Sequence, residues 1–220
     1  SIGFEEINIW KITKFLKELG ERAEDIDVVA VAVQDHGVNP PGESNRKFRM
    51  KKMEELLSKS PKMEKLAFEE SEVPECFLRM RSAVESCKMQ MPNSSIIVMD
   101  TAISALLGCL EDPVAVKSNS IVAVNAGNGH TIAAILEDER VLGLMEHHTR
   151  MLINKPQKLE RILLDFANGK IKGEDIFKDG GHGAFYLMPP GSREQELSAE
   201  KVGVFTVTGP NRFITSNVKI

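Results

Sequence analysis

The spacing of apolar residues changes repeatedly along this chain, and each change marks an expected element. In "EEINIWKITKFLKELG", residues 5–20, Ile9, Ile12, Phe15, Leu16 and Leu19 share one face of a predicted helix, and Gly20 supplies a stop. Residues 28–33 are all apolar and mostly β-branched, which predicts a strand covered on both faces. A loop with two prolines and a glycine follows, "VNPPGESNRKFR". From about residue 50 to 91 the pattern is helical and charged, broken by Pro61 and Pro74. "SSIIVMD", ending at Asp100, predicts a short strand, and "TAISALLGCLEDP" a short helix ended by Pro113. Three strands are expected next: "IVAVNA" (121–126), "TIAAIL" (131–136) and "VLGLMEHHT" (141–149), the last two joined by a hairpin loop at "EDER". Pro156 suits the first turn of a helix with a buried stripe of Leu159, Ile162, Leu163 and Phe166, closed by Gly169. "KDGGHGAFYLMPPGS" (178–192) predicts a glycine-rich loop, "VGVFTVT" (202–208) a last strand, and "GPNR" a turn toward a final helix. Interleaved helices and strands make the class α/β with a mixed sheet.

Composition narrows the partners. The chain has 220 residues, a net charge of −4 and no basic stripe, which argues against nucleic acid. The densest cationic cluster, "RKFRMKK" at 46–52, suits a solvated helix face. No apolar run is long enough to span a bilayer. Cys76, Cys87 and Cys109 form no CxxC or CxxxCxxC spacing, so structural zinc and cysteine-held iron–sulfur clusters are disfavoured. Thiols of this kind stay reduced, which suggests a cytoplasmic location.

The candidate chemistry lies where apolar strands end in polar turns. Three such ends carry glycine: "VAVQDHG", "VAVNAGNGHT" and "FTVTGPNR". A fourth, "IIVMD", ends in an acid. Ligands of α/β sheets bind beyond the carboxyl ends of strands. Glycine permits close approach of backbone to ligand, and consecutive N–H groups form anion-binding concavities. A turn such as 125–131 between antiparallel strands therefore suits phosphate. The same Asn-Gly pair also suits an ordinary type I′ hairpin turn. Asp100 likewise has two readings, as a cap on the helix beginning at Thr101 or as a carboxylate that accepts a proton.

Of the five histidines, His182 is flanked by glycines and is read as a substrate-side residue or as a turn histidine bonded to backbone carbonyls. His147, His148 and His182 are conceivable metal ligands. Adjacent residues of a strand point to opposite faces, so His147 and His148 cannot both reach one ion without a bulge, and no metal site is expected.

The order "QDHG", "MDTAISALLG", "NAGNGHTIAAIL", "VTGPNR" resembles the sugar-kinase branch of the actin-like ATPase superfamily (actin, heat-shock chaperones, hexokinase). More narrowly, "GESNRKFR", "NAGNGHT" and "TGPNR" are similar to a prokaryotic family labelled "putative pyruvate formate-lyase activating enzyme". The resemblance implies an actin-like, ribonuclease H-like fold with mixed sheets flanked by helices. It also implies that the chain is a C-terminal portion, with the rest of a first lobe at 1–95 and a second lobe at 96–220. Asp100 takes the place of the catalytic base. Gly127, Asn128, Gly129 and Thr131, with Asn125 and His130 beside them, take the place of the phosphate turn. Gly209, Pro210, Asn211 and Arg212 take the place of the nucleotide turn. Gln34, His36 and Arg46 take the substrate side. The implied cofactor is ATP with Mg²⁺, and the implied partners are a nucleotide and a small-molecule acceptor. The departures are an absent D-x-G-x-x-(S/T) hairpin and the neutral Asn125. They keep open a second expectation, a non-catalytic nucleotide-sensing or interaction module. The activating-enzyme label would need a CxxxCxxC motif that this chain lacks.

Overall fold

The computed structural model describes residues 7–189, 191–192 and 196–219. The chain forms two compact units, one from residues 1–40 with 67–101 and the other from 41–66 with 102–220. Residues 41–66, expected with the first lobe, belong to the second unit, and residues 96–101, expected with the second lobe, belong to the first.

In the first unit a three-stranded sheet has the order β1 (Val28–Ala32), β3 (Ser95–Met99), β2 (Ala67–Glu69). β3 runs parallel to β1 and antiparallel to β2. The central strand is the buried one, through Ile96 and Val98. It packs with helix α3 (Leu78–Gln90), whose Met80, Ala83, Val84 and Cys87 are buried. β1 corrects the expectation of a strand covered on both faces. Its residues alternate between exposed and half-buried, because it is an edge strand with β3 as its partner. Helix α1 (Ile9–Glu18) forms as predicted, although residues 5–6 of that reading lie outside the described residues. Most of its apolar stripe is not buried. Ile9 is buried and Leu16 half-buried, while Ile12, Phe15 and Leu19 are 55%, 58% and 63% exposed. The helix is held at one end instead, where the Gln90 side chain accepts from Trp10 N–H and donates to the Ile7 carbonyl.

In the second unit a five-stranded sheet has the order β7 (Gly183–Tyr186), β6 (Arg140–His148), β5 (His130–Glu137), β4 (Ser120–Ala126), β8 (Val204–Thr208). β4 to β7 are antiparallel neighbours, and β8 runs parallel to β4. The three middle strands match the predicted apolar runs and are buried nearly throughout. One face supplies Val122, Val124, Ala133, Ile135 and Met145 to a core with α5 (Pro156–Ala167), which contributes Leu159, Ile162, Leu163 and Phe166 as its periodicity predicts. Helix α2 (Asn45–Lys59) buries Met50, Met53 and Leu57 and lies against β7. Helix α4 (Thr101–Leu110) precedes the sheet, and α6 (Gly173–Lys178) leads into β7.

Three expectations are corrected. The stretch 50–91 is not helical apart from its proline breaks, because β2 lies within it; three residues are too short for alternation to reveal. The predicted loop 178–192 contains β7, whose glycines and aromatics hide a strand that pairs with β6. The final helix is a single 3₁₀ turn at Arg212–Thr215.

Candidate functional site

In the second unit, β4 and β8 end side by side, since Asn125 pairs with Thr208 in the parallel ladder. The two glycine turns that sequence patterning singled out therefore begin next to each other. Gly209 adopts φ +99°, and a Cβ there would stand 2.5 Å from the Ala126 carbonyl oxygen and 2.6 Å from Asn125 Oδ1. Glycine is required by both the conformation and the close approach. Asn211 then joins the turns. Its backbone N–H donates to the Ala126 carbonyl at 2.9 Å, and its Nδ2 donates to the Gly127 carbonyl at 3.0 Å and to Asn128 Oδ1 at 3.3 Å.

The β4–β5 turn is sewn down from its other side. Gly127 N–H donates to the His130 carbonyl at 2.9 Å. Thr149 hydroxyl donates to the Gly127 carbonyl at 2.8 Å, and Thr149 N–H to the Gly129 carbonyl at 3.0 Å. With that hydroxyl proton committed, the Thr131 hydroxyl donates to Thr149 Oγ1 at 3.0 Å. Thr131 is fully buried, so it braces the turn from within rather than presenting a donor on its surface. Asn125 is buried too. Asn128, Gly129, Pro210 and Arg212 are exposed, and a Cβ at Gly129 would meet nothing within 4 Å.

Three histidines gather at the same edge of this sheet. His130 opens β5 and pairs with His148 at the end of β6, while His182 immediately precedes β7. Ring centroids lie 5.0 Å apart for His130–His148, 4.7 Å for His130–His182 and 5.0 Å for His148–His182. One ring nitrogen or another of each lies within 4.8 Å of the others. His148 Nδ1 donates to the Gly180 carbonyl at 2.6 Å. A carbonyl can only accept, so the proton sits on Nδ1. His182 Nδ1 stands 3.2 Å from Glu146 Oε2. The His147 side chain goes elsewhere, to Asp179 at 3.0 Å, and Asp179 also meets Lys158 at 2.6 Å. Burial is the main influence that lowers the pKa of both His147 and His148, favouring their neutral forms.

Behind His182 lies a buried ion pair. Arg49 on α2 donates to Glu146 through Nε at 2.7 Å and through Nη2 at 3.2 Å, with the two side chains 2% and 0% exposed. Burial alone would raise the Glu146 pKa. The Arg49 charge and hydrogen bonds, with His182 close by, overcome this and hold the carboxyl well below the usual carboxylate range. Arg46, one turn earlier on α2, donates to the Gly181 carbonyl at 2.5 Å and stacks over Phe177 at 4.2 Å, which fixes the loop leading to His182.

The other predicted residues lie in the first unit. Asp100 is buried, and its Oδ2 accepts from Asp35 N–H at 3.2 Å. Gln34 Nε2 donates to His36 Nε2 at 3.2 Å. Asp35 carries no signal in the sequence, yet its carboxylate accepts from Gly37 N–H and from Arg79 and Met80 N–H at the start of α3. Glu146 escapes sequence reasoning as well. An acid inside "VLGLMEHHT" is the available signal, but nothing in the sequence points from it to Arg49.

The sequence profile of the family described as "Putative pyruvate format-lyase activating enzyme (DUF1786)" matches residues 1–214. The chain belongs to this family. No curated protein sequence matches it. Among solved structures, acetate kinase from Entamoeba histolytica is similar at 12% identity with a TM-score of 0.26, over 60% of this chain and 39% of the kinase. The family description implies an iron–sulfur cluster, and the cysteines do not fit one. Cys87 and Cys109 are buried, and burial raises the pKa of both thiols, which disfavours the thiolate form. A cluster needs closely grouped thiolates. Among the described residues no helix is long and apolar enough to cross a membrane.

Proposed function

We propose that the second unit binds the phosphates of a nucleotide, with ATP and Mg²⁺ as the expected ligand, and that the protein is a phosphotransferase or ATPase with a small-molecule acceptor. The observation that carries this reading is the pairing of the two glycine turns through Asn211 at the carboxyl ends of the adjacent parallel strands β4 and β8. Strand ends of this kind are where α/β sheets hold ligands. Asn128 and Gly129 offer exposed backbone for an anion, and Thr131 with Thr149 keeps that backbone in place. Gly209 to Arg212 would hold the nucleoside side, with Arg212 an exposed cation nearby on the chain. Bound Mg²⁺ would neutralise charge on the transferring phosphoryl group. Asp100 is the proposed base for the acceptor hydroxyl, and Gln34 and His36 the proposed substrate contacts.

A second reading, a nucleotide-sensing module without turnover, is favoured by one observation. Asn125 is neutral and buried, so it cannot hold a metal-bound water as an acid would.

Calorimetry with Mg-ATP tests the first claim. Saturable binding by the wild type is expected, weakened about tenfold or more in Gly129→Val, whose added side chain projects into open space and so leaves the fold intact. Absence of binding at millimolar Mg-ATP would overturn it. Asp100→Asn then separates the two readings. Turnover abolished with binding retained supports the enzyme; a wild type that binds ATP but releases no product supports the sensor.

A further inference from the structure

We propose that His130, His148 and His182 form a site for one divalent transition-metal ion, with zinc as its best fit. No ligand spacing in the sequence announces it, because the three residues come from the ends of three neighbouring strands. The three residues stand close enough to share an ion, with one ring nitrogen of each within 4.8 Å of the others. His148 and His182 Nε2 stand 3.4 Å apart. Two imidazole nitrogens bound to a tetrahedral zinc at the usual bond length are separated by about 3.4 Å. His130 closes the triangle, its ring at nearly equal distances from the other two.

The outer contacts follow the same logic. A metal-bound histidine commonly donates its second ring N–H to a carboxylate or a backbone carbonyl, which fixes the tautomer and the ring plane. His148 Nδ1 does so to Gly180 at 2.6 Å, and His182 Nδ1 faces Glu146 at 3.2 Å. Each leaves an Nε2 turned toward the other. Glu146 is itself locked by Arg49. A buried ion pair is often no better for stability than an apolar pair of similar volume, so its value here is to orient His182. Arg46 holds the Gly181 carbonyl one residue before His182.

Three imidazole ligands select zinc, copper, nickel or iron over the hard cations Mg²⁺ and Ca²⁺. His130 and His148 are only half-buried, which lets an ion enter from solvent and leaves room for a water or a ligand oxygen in a fourth position. The metal site is inferred without reference to the nucleotide reading, and the two are measured separately.

The full chain, stripped with chelator and kept free of nucleotide, is titrated with Zn²⁺ by calorimetry and with Co²⁺ by visible absorption. One ion per chain is expected, with the visible bands of tetrahedral cobalt. His130→Ala, a substitution at the half-buried first residue of β5, should weaken binding about tenfold or more. Glu146→Gln should weaken it about 10- to 100-fold. Excess Mg²⁺ should not displace the ion. Circular dichroism identifies variants that fail to fold, so the wild-type titration and His130→Ala carry the test. No saturable uptake of either ion, unaltered affinity in folded His130→Ala, or displacement by Mg²⁺ would each overturn the site.

Discussion

Strand β5 has a tight turn at each end, and the two turns are built in opposite ways. At its C-terminal end Asp138 and Glu139 adopt φ of 47° and 64° between the paired residues Glu137 and Arg140. That is the left-handed pair a type I′ hairpin needs; Asp138 tolerates it, and Glu139 stands where glycine is favoured. At its N-terminal end stands Asn128-Gly129, the dipeptide that does favour a type I′ turn, and neither residue has a positive φ. The first turn is shaped by the twist of the strands it joins. The second is shaped by Thr149, Asn211 and Gly127, which hold it from two sides. Turn-forming residues at a place where the hairpin does not use them are better explained by what approaches the backbone there. The histidines collect at this end too.

The largest test of this contrast removes the ion pair behind the histidine end. Arg49→Leu would leave Glu146 buried without its guanidinium partner, at a cost of about 3–5 kcal/mol in urea unfolding. A loss below about 1 kcal/mol would show that the carboxylate finds other support. Next comes Thr149→Val, which deletes the hydroxyl shared by Thr131 and the Gly127 carbonyl. It should cost about 1–3 kcal/mol by the same measurement, because Thr131 is buried. It should also weaken Mg-ATP binding, whereas changes at the Asp138 turn should not. The smallest effect has the opposite sign. Replacing Asp138-Glu139 by Asn-Gly relieves the left-handed strain and should stabilise the protein by up to about 1 kcal/mol. The same change removes the exposed ion pair between Glu139 and Lys62, which contributes little. A destabilised double variant would mean that the two ends of β5 are not distinguished by strain.

Much of the second unit is legible in the sequence. Runs of apolar residues locate β4, β5 and β6, and the 3.6-residue period locates α5 with its buried stripe. β2 and β7 are not legible, since three or four residues beside glycine, proline or charge give no period to detect. The stripe of α1 is legible as a helix and misleading as a core, because periodicity fixes which residues share a face and not whether another element covers it. The glycine turns are visible as candidates. His182 stands out between its glycines, and strand alternation separates His147 from His148, but the sequence assigns His130 to the turn alone.

The sequence by itself determined the longer elements, the polar strand ends and the absence of a cysteine cluster motif, because these depend on neighbours within a few residues. Only the tertiary structure decided that β8 lies parallel to β4, so that Asn211 reaches Gly127, and that β5, β6 and β7 align their ends. His130, His148 and His182 come from distant parts of the chain and meet because β5 pairs with β6 and β6 with β7. Alternation and turn geometry fix the register within a hairpin, but which strands from distant parts of the chain become neighbours depends on the packing of whole faces.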